Sequence, residues 1–341
     1  MMKIAVCYNE VPPRLRKGEA ADRISEAGSA SEAQAVSRVL KALGHESVLV
    51  PVGADIATFI AALRKEKPTL VFNLCEGFWG DSSKEMHMAA LLELLDIPYT
   101  GSGPLCLGLT QDKARTKDLL ARHQLPTPPY LLVEPGAPCP SSRDHNLAYP
   151  LMVKPRSEDA SLGITADSIV ADAAALAARV TYIHITYRQA ALVEEFIDGR
   201  EINAAIFGNT PAESLPLAEI EFRPGLLHPI VTYDGKWLEE SSEYRQTVPV
   251  CPALLDTRTE QRIKDVALSA YQLLNCRDYA RVDIRLRDGQ PYILEINANP
   301  DISPDAGLTR AASAAGYSYP QVIASILTMA LTRKELTHAQ P

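Results

Sequence analysis

The feature that most constrains this chain is a pair of apolar segments near its C-terminus, joined by a short turn (279–300). The turn centres on Asp288-Gly289 and predicts a two-stranded β-hairpin. Side chains two positions apart on a strand share a face, so the hairpin brings four polar side chains onto one surface. They are Arg281 and Asp283 on the first strand and Glu295 and Asn297 on the second.

These four side chains have the chemistry of a metal and anion site. Asp283, Glu295 and Asn297 offer the oxygen ligands that Mg²⁺ prefers, usually together with substrate phosphates. Arg281 offers a guanidinium for negative charge that develops beside the metal. The alternative is an exposed sheet face with a salt bridge. The metal site is favoured, because the carboxylates interrupt apolar strands, where an uncompensated charge is costly.

The composition restricts the class of protein and of partner. The chain has 341 residues, enough for two or three domains, and its 46% hydrophobic and 22% charged residues are ordinary for a soluble protein. A net charge of -8 argues against nucleic acid or anionic lipid as a partner. The six cysteines form no CxxC pair, and neither a signal peptide nor an apolar run of about 20 residues is found. We therefore expect a cytoplasmic protein without a membrane span.

The order of periodic segments predicts the architecture. Strands and helices alternate over the first hundred residues, which favours a doubly wound parallel sheet. Ligands of such sheets lie at the C-terminal strand ends, here the loops after Tyr8 and after Leu74. The proline-rich segment Leu125–Tyr130 is typical of a connector, and the remainder is predicted to be mixed α+β.

Two further segments could contact a nucleotide. Lys154 ends an apolar strand and precedes a loop of small residues (156–163), so its ammonium and the loop N–H groups could bind phosphate. A surface lysine is an equally good interpretation. The acidic and apolar segment Val193–Glu201 could present backbone groups to adenine and a carboxylate to ribose, or could be a hairpin with solvated charges. Neither GxxxxGK[ST] nor a helix-opening GxGxxG is present.

In combination, these segments resemble the ATP-grasp ligases and, within them, the D-alanine–D-alanine ligase family. The resemblance extends over nearly the whole chain from Phe72 onward. The matching motifs are IPYTGSG (97–103), QDKARTK (111–117), LPTPPY (125–130), Lys154 with its small-residue loop, VEEFIDGRE (193–201), ARVD (280–283) and LEINANP (294–300). An ATP-grasp fold of the α/β and α+β class is implied, with an N-terminal doubly wound parallel-sheet domain (1–110), a central lobe with the phosphate loop (111–200) and a C-terminal lobe with the metal site (201–335).

The resemblance also implies a role for each matching residue. Nucleotide phosphates would be held by Lys113, Lys154 and Ser161, adenine would be lined by Glu194, Glu195, Phe196 and Ile197, and ribose would be bound by Glu201. Two Mg²⁺ ions, or Mn²⁺, would be bound by Asp283, Glu295 and Asn297. The catalytic residues would be Arg281, Lys236 and Asp301. Family members use ATP to convert a carboxylate to an acyl phosphate, which an amine attacks. A homodimer with small-molecule substrates, amino acids or their derivatives, is implied as well.

The departures from the family cluster at the amino-acid subsites. Where the family has the first serine of a pair in the small-residue loop, this chain has Ala160. Where the family has Lys-Tyr in its mobile loop, this chain has Lys236-Trp237. Where the family has a glycine after the metal-binding strand, this chain has Asp301. The family's serine-leucine pair, which meets the acceptor carboxylate, corresponds to Ala306-Gly307, next to Asp305. Because opposite charge across a contact sets specificity, we expect an acceptor amine that carries positive charge or lacks a neighbouring carboxylate.

The donor side is harder to assign from sequence. A long segment (10–32) replaces the family's short glutamate signature, which leaves Glu26 and Glu32 as candidates. Glu76 and two aromatic residues stand in the loop after the third strand, where they could shape the donor pocket or pack on another domain. Residues 237–243, which begin with Trp237, would form a lid that excludes water, or a solvated acidic loop.

Three functions therefore remain open. The leading one is a carboxylate–amine ligase with altered subsites. A genuine D-alanine–D-alanine ligase of cell-wall synthesis is the second. A nucleotide-binding regulator or scaffold without catalysis is the third, although a complete Arg281, Asp283, Glu295 and Asn297 set argues against it.

Overall fold

A computed structural model describes residues 1–13, 15–26, 28–141 and 144–338, with only the backbone of Ala20, Ser25, Glu26 and 334–338. It contains one parallel and two largely antiparallel sheets. No helix within the described ranges is long and apolar enough to cross a membrane.

The N-terminal part folds around a parallel sheet, as the alternation predicts. Its strand order is β2-β1-β3, and every residue of β3 is buried. Asp55 caps the helix that follows β2 by accepting the N–H groups of Ala57 and Thr58. The elements are β1 (Lys3–Asn9), α1 (Arg23–Glu26), α2 (Gly28–Ala42), β2 (Glu46–Val52), α3 (Ile56–Glu66), β3 (Leu70–Leu74), α4 (Glu85–Leu94) and α5 (Pro104–Gln111).

The central part has a small antiparallel sheet with its own core. The strand order is β4-β7-β5-β6, and α7 packs on it through Leu176, Val180 and Ile183. This core is separate from those that join the other two sheets. Its elements are α6 (Lys113–Arg122), β4 (Tyr130–Val133), β5 (Leu151–Pro155), β6 (Ile169–Val170), α7 (Ala173–Thr186) and β7 (Ala191–Glu195).

The C-terminal part has a six-stranded sheet in which β11, β10, β8, β12 and β13 lie in that order and β9 pairs with β8. The elements are β8 (Arg200–Gly208), β9 (Ala212–Ser214), β10 (Ala218–Phe222), α8 (Tyr233–Trp237), α9 (Ser242–Gln246), β11 (Thr247–Val250), α10 (Thr257–Leu273), β12 (Tyr279–Arg287), β13 (Gln290–Asn297), α11 (Gly307–Ala314) and α12 (Tyr319–His338). The predicted fold class is confirmed, with parallel pairing at the N-terminus and antiparallel pairing in the rest.

The hairpin β12–β13 forms as the sequence predicts. Its turn residues Asp288 and Gly289 both have positive φ, 51° and 71°, as a tight two-residue turn requires. Arg281 lies opposite Asn297 and Asp283 opposite Glu295, and the register shifts between Asp283 and Ile284. The hairpin lies at one edge of the sheet, where β13 is the last strand and β12 joins it to β8 along its length.

Continuous apolar cores join the N-terminal and C-terminal parts. One core includes Leu107 of α5, Ile263 of α10 and Val282 of β12, and a second connects β1 and α2 with β8, α11 and α12. Asp278, which is fully buried, strengthens this junction by accepting bonds from Gly101 N and from Asn209 and Arg333 side chains. The N-terminal and C-terminal parts are therefore joined by both apolar packing and a buried charged group.

Candidate active site

Three of the four predicted hairpin residues, Arg281, Asp283 and Asn297, converge as one hydrogen-bonded group. Arg281 donates to both oxygens of Asp283, with Nε–Oδ1 at 2.7 Å and Nη2–Oδ2 at 2.8 Å. Asn297 Nδ2 donates to Asp283 Oδ2 at 3.0 Å, and Asn203 Nδ2 on β8 donates to Oδ1 at 2.8 Å. Asn203 is an additional member of the group, placed there by the pairing of β8 with β12 opposite Asp283.

Glu295 faces the cations of the other lobe. Lys113 at the start of α6 is 3.4 Å from Glu295 (Nζ–Oε2), although the two residues belong to different sheets. Burial opposes ionisation of Glu295, but the positive charges of Lys113, Lys154, Arg281 and Lys236 outweigh it and lower its pKa. Glu295 is therefore a carboxylate at neutral pH, which is the state that a metal ligand needs.

A second buried carboxylate, Glu194 on β7, lies between two lysines. Its Oε1 is 2.8 Å from Lys154 Nζ and its Oε2 is 2.8 Å from Lys117 Nζ. Sequence reasoning gave Glu194 an adenine contact and gave Lys117 no role, although the QDKARTK motif contains that lysine. In the structure, Glu194 orients both lysines, and Lys117 also donates to Thr127 Oγ1 at 2.8 Å.

The predicted adenine residues lie at the end of β7 and in the loop after it, and the predicted ribose residue lies on β8 of the other sheet. Glu201 accepts from Arg285, with Nη2–Oε2 at 2.8 Å, and the Arg285 guanidinium also lies 5.5 Å from the Phe196 ring centroid. Ile197 is buried, and Glu195 Oε1 accepts the N–H of Ala148 at 2.9 Å. The sequence reasoning did not select Arg285. It could have been found, because Arg281, Asp283 and Arg285 are spaced two residues apart on one strand and so share a face.

The loop after β5 (156–163), called the phosphate loop below, has a sharply turned backbone. Ala160 and Ser161 have φ of 55° and 61°, and Gly163 has φ of 74°. A Cβ at Gly163 would lie 2.8 Å from both Pro155 and the Tyr187 ring, so only glycine fits there. Lys113 Nζ reaches the loop through the carbonyl of Glu158 at 2.6 Å and Asp159 Oδ1 at 3.1 Å.

The predicted lid residues contact the phosphate loop. Trp237 at the end of α8 donates its indole N–H to the Ala160 carbonyl at 2.9 Å. Lys236 is exposed and its ammonium lies 5.3 Å from the Trp237 ring centroid. The side chain that follows Lys236 is thus bonded to the loop backbone.

Of the two candidate N-terminal glutamates, Glu32 contacts the C-terminal part. It is 7% exposed, and its Oε1 accepts the N–H of Ile302 at 2.9 Å. Burial and the negative charges of Asp301 and Glu76 raise its pKa well above the usual value. The side chain of Glu26, the other candidate, lies outside the described residues. Asp301, Asp305 and Glu76 are exposed.

The oxygen atoms of the hairpin side chains fit a Mg²⁺ ion that would take most of its ligands from phosphate and water rather than from the protein. Asp283, Glu295 and Asn297 provide hard oxygens, as Mg²⁺ prefers. Across the ranges that the structure describes, no three His, Cys, Asp or Glu side chains gather into a metal site. Two carboxylates and an amide are what a Mg²⁺ bound mainly by phosphates and water requires from a protein.

Comparison with known proteins gives a consistent family. The family model described as "D-ala D-ala ligase C-terminus" matches residues 119–328. An uncharacterised protein, y4sG of Sinorhizobium fredii, is 38% identical over 307 residues, covering 88% of each chain. A D-alanine–D-alanine ligase of Pelotomaculum thermopropionicum is 32% identical, covering 87% of this chain and 90% of the relative.

Solved structures agree in fold. The D-alanine–D-alanine ligase of Bacillus anthracis complexed with ATP superposes with a TM-score of 0.78, at 23% identity, over 99% of this chain and 100% of that chain. At this identity the likeness supports the fold, which includes the parallel N-terminal sheet and the antiparallel sheets described above.

Proposed function

The chain belongs to the D-alanine–D-alanine ligase family of ATP-grasp ligases, and on this premise we propose that it joins a carboxylate to an amine through an acyl phosphate, with amino-acid subsites that differ from those of the dipeptide ligases. The observation that carries the proposal is the approach of Lys113 to Glu295, at 3.4 Å. It brings a phosphate-binding lysine of the central lobe against the metal face of the hairpin. ATP and Mg²⁺ are the expected cofactors.

The charged residues divide the work of phosphoryl transfer. Lys113 and Lys154 hold the nucleotide phosphates from the central lobe, and Lys117 shares the carboxylate that orients Lys154. Magnesium, held by Asp283, Glu295 and Asn297, would neutralise charge on the transferring phosphoryl group. Arg281 is placed to stabilise negative charge on the carbonyl oxygen when the amine attacks. No protein nucleophile is required.

The segment from α8 to α9 serves as the cover of the site. Its Trp237 fastens to the phosphate loop through the Ala160 carbonyl, and Tyr233 N–H donates to the Ile164 carbonyl at 2.9 Å. Both contacts lie at the C-terminal end of the loop that would hold phosphate. Excluding water there protects an acyl phosphate from hydrolysis.

The acceptor side supports an amine that carries extra positive charge or lacks a carboxylate. Asp301, at the predicted acceptor position, lies close enough to the donor-side candidate Glu32 to raise the pKa of Glu32, after the larger effect of burial. An ammonium group would relieve this repulsion, whereas a carboxylate would add to it. Asp305 adds further negative charge on the same loop.

The test is an amine screen with ATP, Mg²⁺ and a panel of amino-acid donors, with ADP and phosphate release as readouts. We expect turnover with diamines or amino-acid amides and little with D-alanine alone. Brisk turnover with D-alanine as both substrates would instead establish a genuine D-alanine–D-alanine ligase. ATP binding without ADP formation for any pair would favour the regulator or scaffold. A homodimer is expected, and sedimentation would test it separately.

A further inference from the structure

The phosphate loop is held from behind by the carboxylate of Glu158. This side chain belongs to the loop, is only 6% exposed, and accepts hydrogen bonds from three separate segments. Lys17 Nζ and Gln189 Nε2 donate to Oε1, and Ser82 Oγ donates to Oε2 at 3.2 Å. A buried carboxylate with three donors has one defined position, so the backbone that carries it is fixed as well.

The opposite side of the same residue faces the nucleotide lysine. The Glu158 carbonyl accepts from Lys113 Nζ at 2.6 Å. The preceding residue, Ser157, is held in the same way, since its N–H donates to Gln189 Oε1 and its carbonyl accepts from Gln111 Nε2 at 2.8 Å. A change at the Glu158 carboxylate would therefore be transmitted to the groups that we assign to phosphate binding.

The cation on Glu158 comes from the long N-terminal segment that replaces the family's short signature. Lys17 is in this segment, and its neighbours fasten the segment to the central lobe. Gly18 N–H donates to the Thr186 carbonyl at 2.8 Å, and Tyr182 Oη donates to Glu19 Oε1 at 2.7 Å. The inserted segment is thus attached to the central lobe, with its one ammonium at the phosphate loop.

We propose that Glu158 is a positioning residue for phosphate binding and that Lys17 is its required counterion, so that the inserted N-terminal segment controls how firmly the central lobe holds ATP. This inference rests on the proposed function. Without Lys17, the Glu158 charge would be buried without its cation and would repel the phosphates that enter beside it. With both charges removed, the repulsion disappears and part of the binding returns.

The test uses calorimetric titration of the full chain with MgADP and with adenosine. We expect Glu158→Gln and Lys17→Met each to weaken MgADP binding by about tenfold or more. The first removes the charge that holds the partly exposed Lys17 at the loop, and the second leaves the buried Glu158 carboxylate without its cation. Adenosine lacks phosphates, so its affinity should be unchanged in both variants. The double variant should lose less than the two single losses combined, because the pair is coupled.

The control is another lysine–glutamate pair, Lys264 with Glu260 on α10, at 2.6 Å and remote from the loop. Lys264→Met and Glu260→Gln should leave both titrations unchanged. If Lys17→Met bound MgADP as the wild type does, or if adenosine affinity fell in parallel, the positioning role would be refuted. Failure of the wild type to bind MgADP would instead refute the proposed function, and the two results are distinguishable.

Discussion

At the scale of single residues, Glu295 shows how surrounding charge determines chemistry. Four cationic side chains keep it ionised despite burial, and its place on β13 puts it opposite Asp283. Glu295→Gln keeps the shape but removes the charge that a metal ligand needs. We expect ADP formation to fall by about a hundredfold or more, with little change in the melting temperature.

The control for this prediction lies on the same hairpin. Arg287 stands at the turn end, with its guanidinium over the Tyr292 ring, and Arg287→Gln should leave ADP formation intact. A Glu295→Gln protein that retained normal turnover would remove this residue from the metal site.

Lys117 predicts a pH dependence of stability. Burial, reinforced by Lys154 and opposed by Glu194, lowers the pKa of Lys117 from 10.5 to about 8. Between these values the unfolded chain binds the extra proton, so this lysine makes the free energy of unfolding rise with pH in that window. Denaturant unfolding from pH 7.5 to 9.5 would measure this rise, which corresponds to the uptake of ~one proton at most on unfolding. The free energy of unfolding of the wild type minus that of Lys117→Met should grow with pH. A constant value of this difference would contradict the lowered pKa of Lys117.

At the scale of elements, the hairpin turn determines whether the metal face forms. Gly289 has φ of 71° and no atom near the place of a Cβ, so Gly289→Ala should cost only backbone strain. We expect a loss of about 1 kcal/mol in the free energy of unfolding. Gly28 also has open space but no positive φ, so Gly28→Ala should be neutral or stabilising. Equal effects of both changes in a denaturant titration would refute the argument.

The hairpin was predictable because its information is local. Alternation places Arg281 beside Asp283, and Asp288-Gly289 specifies the turn, so residues within about 20 positions contain the whole pattern. The strands and helices of the N-terminal sheet were predicted for the same reason. The short elements α8, α9 and β9 were missed, because three to five residues are too few to show a period.

Contacts between distant segments could not be predicted from periodicity. Glu32 reaches Ile302 across 270 positions, and Lys17 reaches Glu158 across 141. The contact of Glu32 with Ile302 depends on how α2 packs against the C-terminal part, which no local pattern contains. The sequence motif contains Lys117, but it does not indicate that Glu194 on β7 is its partner. Their approach depends on the pairing of β4 with β7, which connects distant segments.

At the scale of the whole molecule, Asp278 joins the N-terminal part to the C-terminal lobe. It is fully buried and ion-paired with Arg333 of α12, and it has φ of 65°. Asp278→Asn tolerates that backbone but removes the charge opposite Arg333. Losing one partner of a buried pair should lower the free energy of unfolding by about 3 kcal/mol, measured by denaturant titration.

Asp288 is the matched control for that change. It also has a positive φ, 51°, but is exposed at the hairpin turn. Asp288→Asn should therefore be nearly neutral. If both substitutions changed stability equally, the junction at Asp278 would not be the cause.

The ion pairs of the candidate site have a consequence for the order in which ligands can enter. Three of its carboxylates already have a cation of the protein: Arg281 for Asp283, Lys113 for Glu295 and two lysines for Glu194. On the proposed function, the entry of MgATP is an exchange of partners, in which the metal takes over carboxylates and the freed cations turn to phosphate. Nucleotide alone would draw the cations away and leave carboxylates uncompensated. Metal and nucleotide should therefore bind as one unit, and ATP with excess chelator should bind weakly.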